Sequence, residues 1–327
     1  MNPSLSRGPL LPARMRPPAI LWIAAAIFVL FLLLVPRFGT AGNIENVLRI
    51  AAILGIVSCG QAIVIILGGI EFSFGASAAL ASVLIVMVPP EAGVPAAFAA
   101  GALGVVAIGM ANGLAVARFG IPPVIVTLGM LMMASGIAAW LAGGMPIDAP
   151  MSDLFAWPSR GRVAGVPVPI LAAILAFAVL HVLLAHSRLG RLWYLVGANP
   201  VAARLAGLAV TRIVFAGYAV AGLFCAVGAV ILTSRVGSGQ PSLAPNLAFE
   251  TIAACAIGGL PLTGGRGRVS QVVCGVLLVA MLDNAVVLLN LPAADQLIVM
   301  GLLVVGAVAL QRDWKRLACL LPNRRRP

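Results

Sequence analysis

Ten stretches of 14 to 24 residues read as near-continuous apolar segments: 19–35, 50–70, 75–88, 94–117, 122–142, 166–185, 213–233, 247–260, 269–291 and 296–310. Eight contain no charged side chain, and the other two carry a single acid each, Glu250 and Asp283. Seven approach the roughly 20 residues that a helix needs to cross a bilayer. In lipid, only helices and closed barrels satisfy their own backbone. The runs are rich in Ala, Leu and Gly and lack period-2 alternation, which excludes the barrel. The expected fold is an all-α integral membrane bundle of about ten transmembrane helices. Composition agrees. Charged residues make up 9% of the chain, against about 25% in a soluble domain.

The placement of charge sets the expected topology. With ten crossings and the N-terminus in the cytoplasm, Arg37, Arg49, Arg160, Arg162 and Arg235 lie outside, and the other 16 of the 21 Lys and Arg residues lie inside. Dropping the third run alone would turn the four arginines between His186 and Arg212, and the basic C-terminus, outward. The positive-inside rule favours ten crossings with both termini cytoplasmic. The chain then divides into a tail at 1–18, one membrane unit at 19–311 holding an internal loop at 186–212, and a basic tail at 312–327. Residues 1–18 are Pro- and Arg-rich and no small-residue cleavage site follows Val35, so a cleaved leader is not expected. The net charge of +12 is dispersed over connections and tails, which argues against a nucleic-acid partner. Four of the five cysteines lie in apolar runs without metal-binding spacing and read as packing residues.

Three runs, 75–88, 247–260 and 296–310, are short. A 14-residue helix rises about 21 Å, less than the roughly 30 Å of a hydrocarbon core. Beside two of them stand similar breaks: Gly68-Gly69-Ile-Glu-Phe-Ser-Phe-Gly75 and Gly258-Gly259-Leu-Pro-Leu-Thr-Gly-Gly265. Short, glycine-interrupted segments in both halves of a membrane chain point to a transport pathway. Polar groups in or beside the runs are its candidate lining: Glu71, Ser73, Asn112, Thr127, Glu250 and Thr251. Buried acids in membrane segments are functional candidates, whereas Gln61, Asn112 and the Asp283-Asn284 pair also suit hydrogen bonding between helices. The stretch from Gly259 to Gly264 has the opening spacing of a phosphate-binding loop. Gly265 and Arg266 then stand where that loop needs Lys and Ser or Thr, and no strand precedes it. Nucleotide binding by this chain is excluded on those grounds.

Three stretches carry a resemblance. ILGGIEFSFGASAALAS (66–82) resembles the G-G-I-D-L-S-V-G motif of permease subunits of ribose-type monosaccharide ABC importers. VGANPVAARLAGLAVTRI (196–213) is similar to their G-x-N-x-x-A-A-x-x-x-G-I stretch, and AIGGLPLTGGRGRV (256–269) to their G-G-x-x-x-x-G-G-x-G-R segment. Order and spacing are kept from about residue 40 to 311. Glu71 stands for the family's Asp, Phe72 and Phe74 for smaller aliphatics, and Pro261 interrupts the third motif. The resemblance implies a sugar permease in the bacterial inner membrane. It implies a second permease chain, identical or different, two cytoplasmic ATP-binding subunits that hold the ATP and Mg²⁺, and a periplasmic or lipid-anchored binding protein. No cofactor is expected in this chain. In the loop 186–212, Asn199, Ala203, Arg204 and Gly207 are the expected coupling residues, while the glycines Gly68, Gly69, Gly75, Gly258, Gly259, Gly264 and Gly265 shape the breaks. Other substrates of related permeases remain open: nucleosides, furanosyl signals and branched-chain amino acids. So do a proton-coupled transporter using Glu71, Glu250 or Asp283, and a membrane scaffold without transport.

Overall fold

A helix that is apolar on every side has nowhere to go but the centre of a bundle. In the computed structural model, which describes residues 19–150 and 152–290 together with five positions between 295 and 305, that helix is α2 (Ala41–Ile66), buried without interruption from Ala51 to Ile66. Before it comes α1 (Ala19–Leu34). After it come α3 (Phe74–Met87), α4 (Gly93–Phe119) and α5 (Pro123–Leu141). A connection follows with β1 (Ile147–Asp148), α6 (Asp153–Arg160), β2 (Arg162–Val163) and β3 (Val166–Pro167). The chain continues through α7 (Val168–His186), α8 (Arg188–Ala198), α9 (Pro200–Leu205), α10 (Val210–Val236), β4 (Ser238–Gly239), α11 (Leu247–Ile257) and α12 (Val269–Leu288). Only four scattered positions of the tenth apolar run are described, and both tails lie outside the described residues.

Among the described residues, six helices are long and apolar enough to cross a membrane: α2, α4, α5, α7, α10 and α12. α1, α3 and α11 are shorter apolar helices. Beyond the connecting helices α6, α8 and α9 and a 3-10 turn at Pro90–Ala92, the secondary structure of the described residues is two two-residue antiparallel ladders, β1 with β4 and β2 with β3, so the expectation of an all-α membrane bundle holds for the body of the chain. α7, α10, α11 and α12 surround α2, and α10 packs most extensively along α4. Large apolar side chains such as Leu103, Met132, Trp140 and Leu175 stay exposed on the perimeter, the arrangement expected of a surface solvated by acyl chains.

Several boundaries moved, each for a physical reason. α2 starts nine residues before the apolar run at 50–70 because its charges are satisfied in place. Glu45 accepts from Arg49 at 2.8 Å one turn on and from Arg162 at 2.6 Å, and Arg49 donates to the Ser159 carbonyl at 2.6 Å. At that same end of the bundle Asn43 and Asn284 exchange amide hydrogen bonds of 2.8 and 2.9 Å, the interhelical role read for Asn284. α2 ends at Ile66 rather than 70, and α11 at Ile257 rather than 260. Both close with the same motif. Gly69 N donates to Val64 O and Gly68 N to Ile65 O; Leu260 N donates to Cys255 O and Gly259 N to Ala256 O. In this closure one residue must take a left-handed conformation, for which glycine is suited, and Gly68 (φ 84°) and Gly259 (φ 94°) take it. The two breaks are therefore equivalent with a shift of one residue. The first glycine of one pair matches the second of the other, which aligning Gly-Gly on Gly-Gly does not show.

Close packing of α4 on α10 rests on absent side chains. A Cβ at Gly109 would lie 2.8 Å from the Tyr218 carbonyl and 3.0 Å from Gly222 Cα. Gly109→Leu is expected to force the helices apart and to cost about 3 kcal/mol; thermal unfolding of the purified protein in detergent measures it.

Candidate functional site

A chain that leaves the helix in mid-bundle frees backbone groups that must find partners, since lipid supplies none. Residues 67–73, between α2 and α3, are such a break. Their hydrogen bonds, with that of Ile66 O beside them, reach several elements of the chain. Ile66 O, left over at the end of α2, accepts from Gly265 N at 2.8 Å. Ile70 O accepts from the Thr127 hydroxyl of α5 at 3.1 Å. With its side-chain amide oriented to satisfy both ends, Gln61 of α2 donates to Glu71 O at 3.0 Å and accepts from Glu71 N at 3.3 Å. The Glu71 carboxylate accepts from Ser73 N at 2.8 Å, from the Ser73 hydroxyl at 2.6 Å and from the Asn112 amide of α4 at 3.0 Å. Asn112 also reaches Ser73 Oγ at 3.1 Å. Ser73 O accepts from Ser77 N at 2.7 Å to start α3.

Four of the six residues read as a pathway lining thus meet in one knot: Glu71, Ser73, Asn112 and Thr127. All four are at most 1% exposed. Their polar atoms point at one another and at the backbone. Tyr218 of α10 borders the knot; its hydroxyl would lie 2.7 Å from a Cβ at Gly69. Asn112 Oδ1 and Tyr218 Oη are left without protein partners. Thr251 sits apart on α11, buried, its hydroxyl bonded to Ala248 O at 2.8 Å. Glu250 is half-buried on the same helix and interacts electrostatically with Asp283 of α12. Phe72, at the rim of the knot, packs edge-to-face on the exposed Phe249 of α11 with ring centroids 5.9 Å apart.

The three motif stretches, scattered over 200 residues of sequence, come together at the far side of the break. Gly264 packs on Gly68, where a Cβ would lie 2.8 Å from Gly68 Cα. A Cβ at Gly197 would collide with Ile66 O, and one at Gly265 would lie 2.6 Å from Ala198 Cα. Three backbones therefore touch: the break, the end of α8, and the connection between α11 and α12. Two side chains hold that connection. Tyr194 of α8 donates to Gly267 O at 2.8 Å; burial raises its phenol, against a smaller opposing influence of Arg268, so it remains a donor. Gln271 accepts from Arg268 N at 2.8 Å and donates to Gly259 O at 3.0 Å.

Beyond this junction the chain turns at Asn199, whose side chain accepts from Val201 N and Ala202 N at 3.1 and 2.9 Å and caps α9. Ala203 is buried as part of the main hydrophobic core. Gly207 (φ 80°) terminates α9. Arg204 is exposed, between Val201 and Leu205, which are 65% and 86% exposed.

This architecture can be set beside known proteins. A family model described as "branched-chain amino acid transport system / permease component" matches residues 43–308. The chain belongs to this permease family. The ribose import permease of Bacillus subtilis strain 168 is 36% identical over 288 residues, 88% of this chain and 89% of its own. The ribose import permease of Escherichia coli K12 is 33% identical over 281 residues, 84% and 86% of the two chains. The L-arabinose transport system permease of the same strain is 32% identical over 295 residues, 90% and 88%. No solved structure gives a significant match.

In this permease the sequence pointed to the knot through its acid and amide residues, but not to Tyr218 or to Gly197. Tyr218 lies in an ordinary apolar run. Gly197 stood inside a quoted motif, yet only the approach of Ile66 shows what it is for.

The knot yields a test. Glu71→Ala leaves the Ser73 N–H without a partner and the Asn112 amide with Ser73 Oγ alone; a buried donor left unpaired costs about 1–3 kcal/mol, and a loss of that order in thermal stability is expected. Glu71→Gln is expected to retain most of the stability. Turning the Asn112 amide over lets its unpartnered oxygen accept from the new side-chain NH₂. Equal stability loss in both variants, measured by thermal unfolding, contradicts this account.

Proposed function

We propose that this chain is the membrane-spanning permease subunit of an ATP-driven, binding-protein-dependent importer of a monosaccharide, in the inner membrane of a bacterium. The observation that carries the reading is the near full-length similarity to permeases named for ribose and L-arabinose. The family model's description mentions branched-chain amino acids, but the ribose and L-arabinose permeases above align with 84–90% of this chain. In this proposal the membrane unit spans 19–311 with ten crossings and both termini cytoplasmic. It pairs with a second permease chain. ATP and Mg²⁺ belong to cytoplasmic partner subunits, and a binding protein outside the membrane supplies affinity for the sugar.

The mechanism follows from what touches what. An ATP-binding subunit docks on α9, where Val201, Arg204 and Leu205 project from a loop that the family resemblance places in the cytoplasm. Asn199 and Gly207 fix the two ends of α9, and Ala203 seats it on the bundle's core. Closure of the ATPase pair moves α8 and α9. Through Gly197 and Ala198, that motion bears directly on Ile66, Gly68 and Gly265 at the root of the break. Interfaces packed this closely switch between discrete arrangements rather than deforming smoothly. Glu71, Ser73, Asn112 and Thr127 then keep the break intact as it moves, and α3 and α11, the two short helices, re-aim the walls of the path. Glu250, Thr251 and the Phe72–Phe249 pair are the groups nearest that path on the α11 side.

Leu205→Asp is expected to weaken capture of the ATPase subunit at least roughly ten-fold, the weight of one interface anchor of about 1.4 kcal/mol, and to lower uptake with it. Co-purification and uptake of labelled sugar measure the two effects. Unchanged uptake would remove α9 from the mechanism. Uptake that survives ATP depletion but collapses with the proton gradient would overturn the ATP-driven reading itself. A reporter fused after Pro327 is expected to be active in the cytoplasm; activity outside the cell contradicts the ten-crossing topology.

A further inference from the structure

Three hollows on the described surface differ in their walls. Two lie between α1, α2 and α12 and between α2, α7 and α10, and are lined solely by apolar side chains. They suit acyl chains. The third differs. It is a cavity of about 410 Å³ between α3, α5 and the connection from β4 to α11. Its walls carry the hydroxyls of Ser135 and Ser242, with small residues at Gly75, Ala76 and Ala79 leaving the room. Its lining contains no charged side chain. The volume lies within the roughly 300–1,000 Å³ of small-molecule pockets.

Position makes this cavity more than a surface dent. Its floor is Gly75 and Ala76, immediately after Ser73 of the knot. Its lid is the segment 241–245, which folds down along α3 until a Cβ at Gly75 would lie 2.7 Å from Ala244 O. Ala244 is held there at φ 48°, a costly conformation for a residue with a Cβ, and such strain collects at functional positions. Gln240 N anchors the start of the segment by donating to Ser82 Oγ at 2.9 Å. The cavity lies toward the end opposite the glycine junction, and is therefore on the external half in the proposed orientation.

We propose that this cavity is the site where the permease receives its substrate from outside, and that the ligand is one neutral monosaccharide. The inference rests on the importer reading above and adds the substrate's place and charge class. The hydroxyl-bearing residues Ser135 and Ser242 in an uncharged lining match a polyol, which brings donors and acceptors but no charge. A zwitterionic amino acid would bury an ammonium and a carboxylate against walls that offer neither a countercharge nor a strong donor set, an expensive transfer. Few polar groups also imply weak binding, suited to a station that must release its cargo onward.

The test is site-directed labelling in cells carrying the complete importer. Ser135→Cys is made in a Cys319→Ser background; the four cysteines among the described residues are buried. A charged, membrane-impermeant thiosulfonate added from outside is expected to modify the new thiol. Whichever of D-ribose and L-arabinose the wild type imports should slow labelling about ten-fold at ten times its Kd, because only the empty fraction reacts, while L-leucine should not. Ser135→Trp, which fills the cavity from the α5 side, should abolish sugar uptake while ATP hydrolysis stimulated by the binding protein persists. Absence of labelling, absence of sugar protection, equal protection by leucine, or normal uptake by Ser135→Trp each overturns the site. A wild type without ATP-dependent uptake of any sugar overturns the importer reading instead, and the two failures are thereby distinct.

Discussion

The interruption of the central helix at Gly68 is the constraint around which the rest is arranged. An exposed backbone break is trivial in water and prohibitive in a bilayer, where unpaired N–H and C=O groups cost several kcal/mol each. Here four elements that pack on or beside the break contribute a partner: α2 through Gln61, α4 through Asn112, α5 through Thr127, and the connection from α11 to α12 through Gly265 N. The bundle is thus tied together by polar groups at its least helical point and by apolar and small-residue packing elsewhere. Buried polar networks of this kind specify one arrangement when they are complete, and this one is nearly so, with Asn112 Oδ1 and Tyr218 Oη the exceptions.

In the proposed importer, the same break offers a route by which the permease can follow the ATP cycle of a partner subunit. The glycine-rich stretch from Gly258 to Arg268 has half the spacing of a phosphate loop and none of its chemistry. Its glycines instead let one backbone lie on two others. Gly264 rests on Gly68 and Gly265 on Ala198, so a displacement of α8 has no compressible layer of side chains to absorb it. Close backbone contact gives stiff transmission, and stiffness is what a lever needs.

Much was legible in the chain itself because the bilayer imposes simple rules. Segment positions, the membrane class, the identity of the breaks and the importance of Glu71 and Asn112 follow from charge, length and glycine placement. Boundaries were less legible where a charge is neutralised locally, as Glu45 and Arg49 are on α2, since hydropathy counts the charge but not its partner. The knot's role was also hidden. A polar residue in an apolar run reads equally as pathway lining or as helix-to-helix adhesive, and only the partners of Glu71, Ser73, Asn112 and Thr127 distinguish pointing inward at backbone from pointing at a passage.

What the sequence by itself determined is the solvent of this protein and the glycine pairs near which its central helices break, because apolar runs, arginines and paired glycines act locally. Only the tertiary structure decided that the three distant motifs are one junction, that four polar residues form one closed network, and that the polar-walled hollow lies beside Ser135 rather than at Glu71. Those facts depend on which backbones approach one another, and approach is set by the packing of whole helices, not by any stretch of residues read alone.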